Sequence, residues 1–408
     1  LGVGGDFRNY KYKQTPSADA LAGAIYNYAP VAAYDMNRDN TGLFAELLVP
    51  VIKGLDLTGA VRYDKVTAID NAGTTVGNDM DATTYKLAAR FQVASSLLLR
   101  ASYGTGFKAP AMLDISQPLV AAGVTAASWD CPFPNTDACK PGKLQYSVLS
   151  GGNANLKPEK STQLTVGLRF EPTASFGFGA DYWEVKITDA VSGVSERQAF
   201  ADPQKYASLF TTYRTPAETQ DYYAFIRSST NIGKAINRGI DWDITGRLAL
   251  GQSRLTMGLT GTYLLESSYT RPGTDNDFTD SMNKYGENAA VSFRNIIRAT
   301  ATLDTGALSN SLTVKYRNGY SDQTATARNT ATNKNESVTL QVPDYVTLDW
   351  QTNYQFNKAL ELRLGVKNLL NKEPPMSLRD SSGHQVGYDA RYADPFMRTV
   401  YVEGKFSF

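Results

Sequence analysis

Side chains able to do covalent or metal chemistry are scarce here: one histidine and two cysteines among 408 residues. His384 stands in neither a GxSxG nor an HExxH setting, so it reads as a surface residue and no catalytic site is expected. Cys131 and Cys139 bracket a short proline-containing stretch. With no histidine nearby they lack the ligands of a metal site, and an even count in an oxidising location predicts a disulfide stapling a loop tip. Asp275, Asp277 and Asp280 cluster, as do Asp79 and Asp81. Calcium takes such oxygen groups, but the EF-hand spacing is missing and solvated acidic loops are the expectation. The GxG at Gly104–Gly106 precedes no helical pattern and predicts no nucleotide site. No cofactor and no metal is therefore expected. What remains is recognition chemistry. Trp129, Tyr206, Tyr213, Arg214, Tyr222, Tyr223 and Phe225 crowd two long connections. Aromatic faces there suit sugars or aromatic chelators, and arginine suits anions. The same rings serve equally well to pack the connections together.

The elements that position these residues are strands. Val400, Val402 and Phe406 share one parity near the C-terminus, and Tyr401, Glu403 and Lys405 the other. Leu360, Leu362, Leu364 and Val366 likewise oppose Glu361, Arg363 and Lys367. Successive side chains of a strand point oppositely, so each such strand has a greasy and a wet face. Roughly fourteen strands follow from this rule and the turn signals, near 2–13, 41–50, 55–66, 83–93, 97–106, 161–170, 175–188, 235–250, 253–266, 291–304, 310–320, 342–356, 359–370 and 396–408. A phase break at Tyr182–Trp183 predicts a bulge, and Asp202-Pro203 predicts a short helix through Phe210. No apolar run is long enough for a transmembrane helix, and no helical layer exists to cover the apolar faces. The expected fold is all-β: an antiparallel up-and-down barrel, closed so that no edge is free, with its apolar face against outer-membrane lipid. Connections alternate short and long, as in such barrels, with the long ones outside. Tyr63, Tyr103, Tyr263 and Tyr320 end strands on one rim, and Phe91, Phe170, Phe356 and Phe408 on the other, as two interfacial girdles. Inward rows carry Arg62, Lys86, Arg90, Arg100, Arg169, Arg247, Arg298, Lys315, Arg317, Arg363 and Lys405 against Glu46, Asp56, Asp64, Asp241, Asp243, Asp349, Glu361 and Glu403. Such a lumen is either water-filled or packed against a polar plug. Balanced charge argues against a nucleic-acid partner.

Several stretches are similar to the TonB-dependent outer-membrane receptors. They are Tyr103-Gly-Thr-Gly-Phe-Lys-Ala-Pro110, Gly151-Gly-Asn-Ala-Asn-Leu-Lys-Pro-Glu159, Val366-Lys-Asn-Leu-Leu-Asn-Lys372 and the last aromatic strand, in family order across nearly the whole chain. The resemblance implies a Gram-negative outer-membrane receptor for TonB-energised uptake of a scarce ligand of the siderophore, cobalamin or oligosaccharide class, and not an enzyme. It implies that Phe406 and Phe408 form the signal read by the barrel-assembly machinery. Family barrels have about 22 strands and an N-terminal plug. Neither plug nor TonB box is readable here, and the opening Leu1-Gly-Val reads as strand rather than signal peptide. Residues 1–408 are therefore expected to be the C-terminal part of such a barrel. A passive channel of about fourteen strands is the rival expectation.

Overall fold

The computed structural model describes residues 1–26, 31–215, 217–271, 273–274, 276–379 and 387–407. His384, Asp275 and Phe408 lie outside the described residues. The wall strands are β1 Gly2–Gln14, β2 Tyr34–Ile52, β3 Leu55–Val66, β4 Met80–Ala94, β5 Leu97–Lys108, β6 Glu159–Thr173 and β7 Phe176–Thr188. They continue as β8 Lys234–Leu250, β9 Ser253–Thr270, β10 Asn295–Thr305, β11 Leu308–Arg317, β12 Tyr345–Gln355, β13 Leu360–Lys367 and β14 Thr399–Phe406. Each pairs antiparallel with the next, from Gly2↔Glu46 in β1–β2 to Gly365↔Tyr401 in β13–β14. All the expected strands are present. Several run further toward the long loops than their sequence pattern does: β2 begins at Tyr34 and β9 ends at Thr270. Beyond the membrane both faces of a strand are wet, so alternation stops while pairing continues. The expected closure is not found. Among the described residues β1 and β14 do not pair with each other, and the wall is an open barrel. Alternation dictates which way a side chain faces; whether the first and last strands meet depends on strand number and shear.

The outward face is apolar and bare: Leu43 is 60% exposed, Leu87 61% and Val402 67%. Leu362 and Val400 are also exposed on it, as a lipid-facing surface requires. The inward face is laced with ion pairs between strands, some adjacent and some one strand apart, including Arg62 to Asp6 at 2.9 Å, Lys315 to Asp349 at 2.6 Å and Arg363 to Glu403 at 2.7 Å. Arg100 pairs with Asp181, and Arg169 with Asp243. Tyr63, Tyr85 and Tyr103 form an exposed outer-rim patch. Tyr320 does not join it: this ring is buried against Val291, Phe293 and Val342, at the start of a loop hairpin.

The phase break at Tyr182–Trp183 is not a bulge. β7 pairs without a register shift to β8 from Phe176 through Thr188. There the strand leaves the apolar band, and the polarity of its faces exchanges. Outward Glu184 pairs with Lys186 at 2.7 Å, while Trp183 turns inward over Gly239. The bulge lies instead in β9, where Leu265 is the extra residue between the pairs Arg238↔Glu266 and Gly239↔Leu264. Ring-over-glycine contacts recur at Gly365, where a Cβ would fall inside the Tyr401 ring. That ring is anchored by its hydroxyl, which donates to Gln351 at 2.8 Å. Gly365→Val should expel the ring and cost about 1–3 kcal/mol, read as a lower melting temperature of the purified barrel.

The two longest connections, 109–158 and 189–233, fold together above the rim. Strands Phe210–Tyr213, Tyr222–Arg227, Ser147–Ser150 and Val120–Val124 make one small sheet. Its core is Val148, Leu209, Phe210 and Phe225, with Phe200 set edge-on to Phe210 at 5.1 Å. The α-helix of the 189–233 connection is Glu196–Ala201, capped by Ser195 and Gln198, and the expected helical segment after Asp202 is reduced to a 3-10 turn at Ala207–Leu209. Ser195-x-x-Gln198 is a capping box, which satisfies two terminal N–H groups and so outranks Asp-Pro. Asp202 closes that helix, and its carboxylate accepts the Lys205 N–H at 3.2 Å.

Candidate functional site

Several of the loop residues expected to bind ligand take part in one cluster of rings that packs the loop unit. Tyr206 and Phe225 are buried in the loop core, and the Tyr206 hydroxyl donates to the Gly273 carbonyl. Trp129 stacks on Phe200 at 5.3 Å. Tyr223 packs on Phe133 at 5.2 Å. Tyr213 and Tyr222 are paired across a hairpin, with Lys140 5.1 Å from the Tyr222 ring. Arg214 is engaged by Asp221 at 3.0 Å. A disulfide joins Cys131 to Cys139, with Cα atoms 5.6 Å apart, at the edge of this unit. The acidic groups are paired with cations: Asp277 with Arg271, Asp280 with Lys284 and Asp79 with Lys65.

A different set of residues converges. At the inner mouth, a cavity of about 560 Å³ is walled by Arg298 of β10, Lys315 and Arg317 of β11 and Tyr345 of β12. Phe293, just before β10, and Tyr392, from the last long loop, close it. The wall places these groups by register: Arg298↔Lys315 and Arg317↔Tyr345 are paired positions on the inward face. Arg317 is sandwiched by rings, its guanidinium 4.6 Å from Phe293, 5.4 Å from Tyr345 and 5.6 Å from Tyr392. It donates to the Tyr392 carbonyl. Among the described residues neither Arg298 nor Arg317 has a carboxylate partner, whereas Lys315 is held by Asp349. Cations stacked on rings and left without anions make a concave surface for an anionic, ring-bearing molecule.

The roof is tied down by one buried carboxylate. Asp389 takes Arg391 at 2.6 Å and Arg379 at 3.5 Å, with its side chain 2% exposed. Burial alone would raise its pKa, but hydrogen bonds from Arg391 and the charges of Arg391 and Arg379 outweigh burial and hold it below the ordinary carboxylate range. Arg391 also donates to the Ala289 carbonyl at 2.6 Å, and the Tyr392 hydroxyl accepts the Val291 N–H at 2.8 Å. The last loop is thereby latched to the 271–294 connection. Parity along β10 and β11 places Arg298, Lys315 and Arg317 inward but does not single them out. The rings that complete the pocket come from positions 293, 345 and 392, and no spacing rule joins them.

The receptor-like motifs have local roles. Asn153 donates to the Ser229 carbonyl at 2.9 Å, and Lys157 N–H donates to Asn231 at 2.6 Å, fastening one long loop to the other. Glu159 accepts the Val191 N–H at 2.7 Å and pairs with Lys108 at 3.2 Å. Asn368, at φ 50°, both accepts from and donates to Lys372, shaping the turn after β13.

A meander with a lipid-facing apolar band, an ion-paired inner face, short turns on one rim and a folded loop unit on the other is the wall of a large outer-membrane β-barrel. The family model described as TonB dependent receptor-like, beta-barrel, matches residues 1–369, and the chain belongs to that family. Its place is the outer membrane of Gram-negative bacteria. Over 116 residues it is 32% identical to the vitamin B12 transporter BtuB of Vibrio vulnificus, a match covering 28% of this chain and 16% of that protein. The siderophore receptor PirA of Acinetobacter baumannii superposes with a TM-score of 0.65 at 18% identity, over 100% of this chain and 52% of PirA. A mutant of the ferric enterobactin receptor PfeA of Pseudomonas aeruginosa, solved with enterobactin, gives 0.68 at 19%, over 100% and 51%. The chain thus spans about half the length of the solved structures it matches, and a smaller share of the curated relative.

Proposed function

We propose that this barrel wall serves a receptor that captures a scarce anionic, ring-bearing ligand of the siderophore class at its inner mouth and imports it with energy delivered by TonB through a plug. It is not an enzyme on this reading. The observation that carries the ligand class is Arg317, stacked among three rings with no carboxylate partner among the described residues. Membership of a receptor family supports energised uptake over the passive-channel alternative. The inward charges would hold the plug, and the loop residues Trp129, Tyr213, Arg214, Tyr222 and Tyr223 would guide ligand toward the mouth. The experiment titrates the full gene product with a ferric tris-catecholate, cyanocobalamin and a neutral oligosaccharide, following tryptophan fluorescence. The catecholate should bind tightest, and Arg317→Ala should weaken it about 10- to 100-fold. Equal binding to wild type and variant would remove the assignment. In cells, uptake that survives loss of TonB would favour the passive channel.

A further inference from the structure

A cavity larger than the mouth pocket lies in the barrel wall itself. It is a cleft of about 1020 Å³ where β4 and β5 part. Their ladder starts at Ala94↔Leu97 near the short turn and ends at Lys86↔Gly104. Beyond that pair the two strands share no ladder bond: Met80–Thr84 pairs with β3 and Thr105–Lys108 with β6, and a side-chain bond at Tyr85 links them at the root of the cleft. Two strand edges therefore face each other across open space. At the outer end of the cleft Phe107 packs into an apolar cluster with Met80 of β4 and with Met112, Leu113, Ile115 and Leu156 of the following loop. Thr105 Oγ1 accepts the Tyr85 N–H at 3.1 Å in place of a ladder carbonyl.

We propose that this cleft is a docking site for an extended polypeptide segment, added as an extra strand between β4 and β5. A lipid chain in the gap would leave both backbone edges unpaired, whereas a strand pairs with each of them. Six residues of edge span about 20 Å at strand rise, enough to hold a short extended segment. The lips differ in charge: Asp79 and Asp81 lie on the β4 side, and Lys157, Lys160 and Lys186, with Asp189, on the β6–β7 side. Asp81, Lys157 and Lys160 have no ion-pair partner among the described residues. The segment that fits best therefore carries both signs. The site is outside the lumen and stands apart from the uptake reading.

The probe is the fluorescein-labelled hexapeptide Val-Arg-Tyr-Asp-Lys-Val. It copies residues 61–66, which already pair antiparallel with Met80–Tyr85 along its other edge. Anisotropy should show saturable binding to the detergent-purified full gene product, and deuterium exchange should slow over 80–85 and 105–108. A Thr84→Cys/Gly106→Cys pair continues the register of Lys86↔Gly104 and zips the cleft when oxidised. Binding should then fall at least about tenfold and return on reduction, while wild type, whose Cys131–Cys139 bridge meets the same reductant, stays unchanged. Absence of saturable binding, equal binding to the oxidised and reduced pair, or equal binding of a peptide with proline in its third position would each overturn the proposal.

Discussion

Leu87→Arg should prevent this wall from settling in a membrane. Leu87 points to lipid between Tyr85 and Phe91, and a guanidinium at that depth costs about 2–4 kcal/mol in an outer-membrane barrel. The expected result is a barrel that misassembles in lipid vesicles or unfolds at lower urea than wild type. Its neighbour makes the control. Lys86 lies on the inward face, paired in register with Gly104, and has no ion-pair partner among the described residues. Lys86→Ala should change stability by less than about 0.5 kcal/mol. Equal sensitivity at the two positions would contradict the assignment of faces on which the lipid-facing wall depends.

Asp389→Ala should release the roof of the mouth pocket. It removes the hydrogen-bonded partner of Arg391 and Arg379, whose guanidiniums are part-exposed, a loss of about 1–3 kcal/mol. That loss falls on the latch between the last loop and the 271–294 connection, so amide exchange across 285–294 and 387–398 should quicken while the wall strands stay protected. Acid should act in the same direction. The folded-state pKa of Asp389 is depressed, so its contribution is complete above the unfolded carboxylate value of about 3.9 and disappears as pH falls through the folded value. The latch should hold at pH 5 and loosen only below about pH 4 in wild type, while the alanine variant exchanges fast at both. A wild-type latch that opened between pH 5 and 7 would contradict the pairing described.

Strand positions, the direction of each face and the alternation of short and long connections were legible in the amino-acid order. Leu362 or Arg363 takes its side from parity alone, and parity needs no knowledge of any other strand. The Cys131–Cys139 pairing was also within reach, because the two cysteines make an even count and no histidine stands near them to complete a metal site. Other features depended on which distant segments meet. Tyr320 carries the same residue type as Tyr103, yet one ring is buried under a loop and the other lies against lipid, since Phe293 and Tyr392 reach only the first. The change of polarity at Trp183 looked like a bulge because sequence cannot tell a shift in register from a strand leaving the membrane. The mouth pocket gathers residues from positions 293 to 392, and the cluster at the outer end of the cleft joins Met80 and Phe107 to Ile115 and Leu156. Local periodicity determined the wall. Long-range packing of the loops decided what the wall encloses, because contacts between remote segments leave no trace in the spacing of either one.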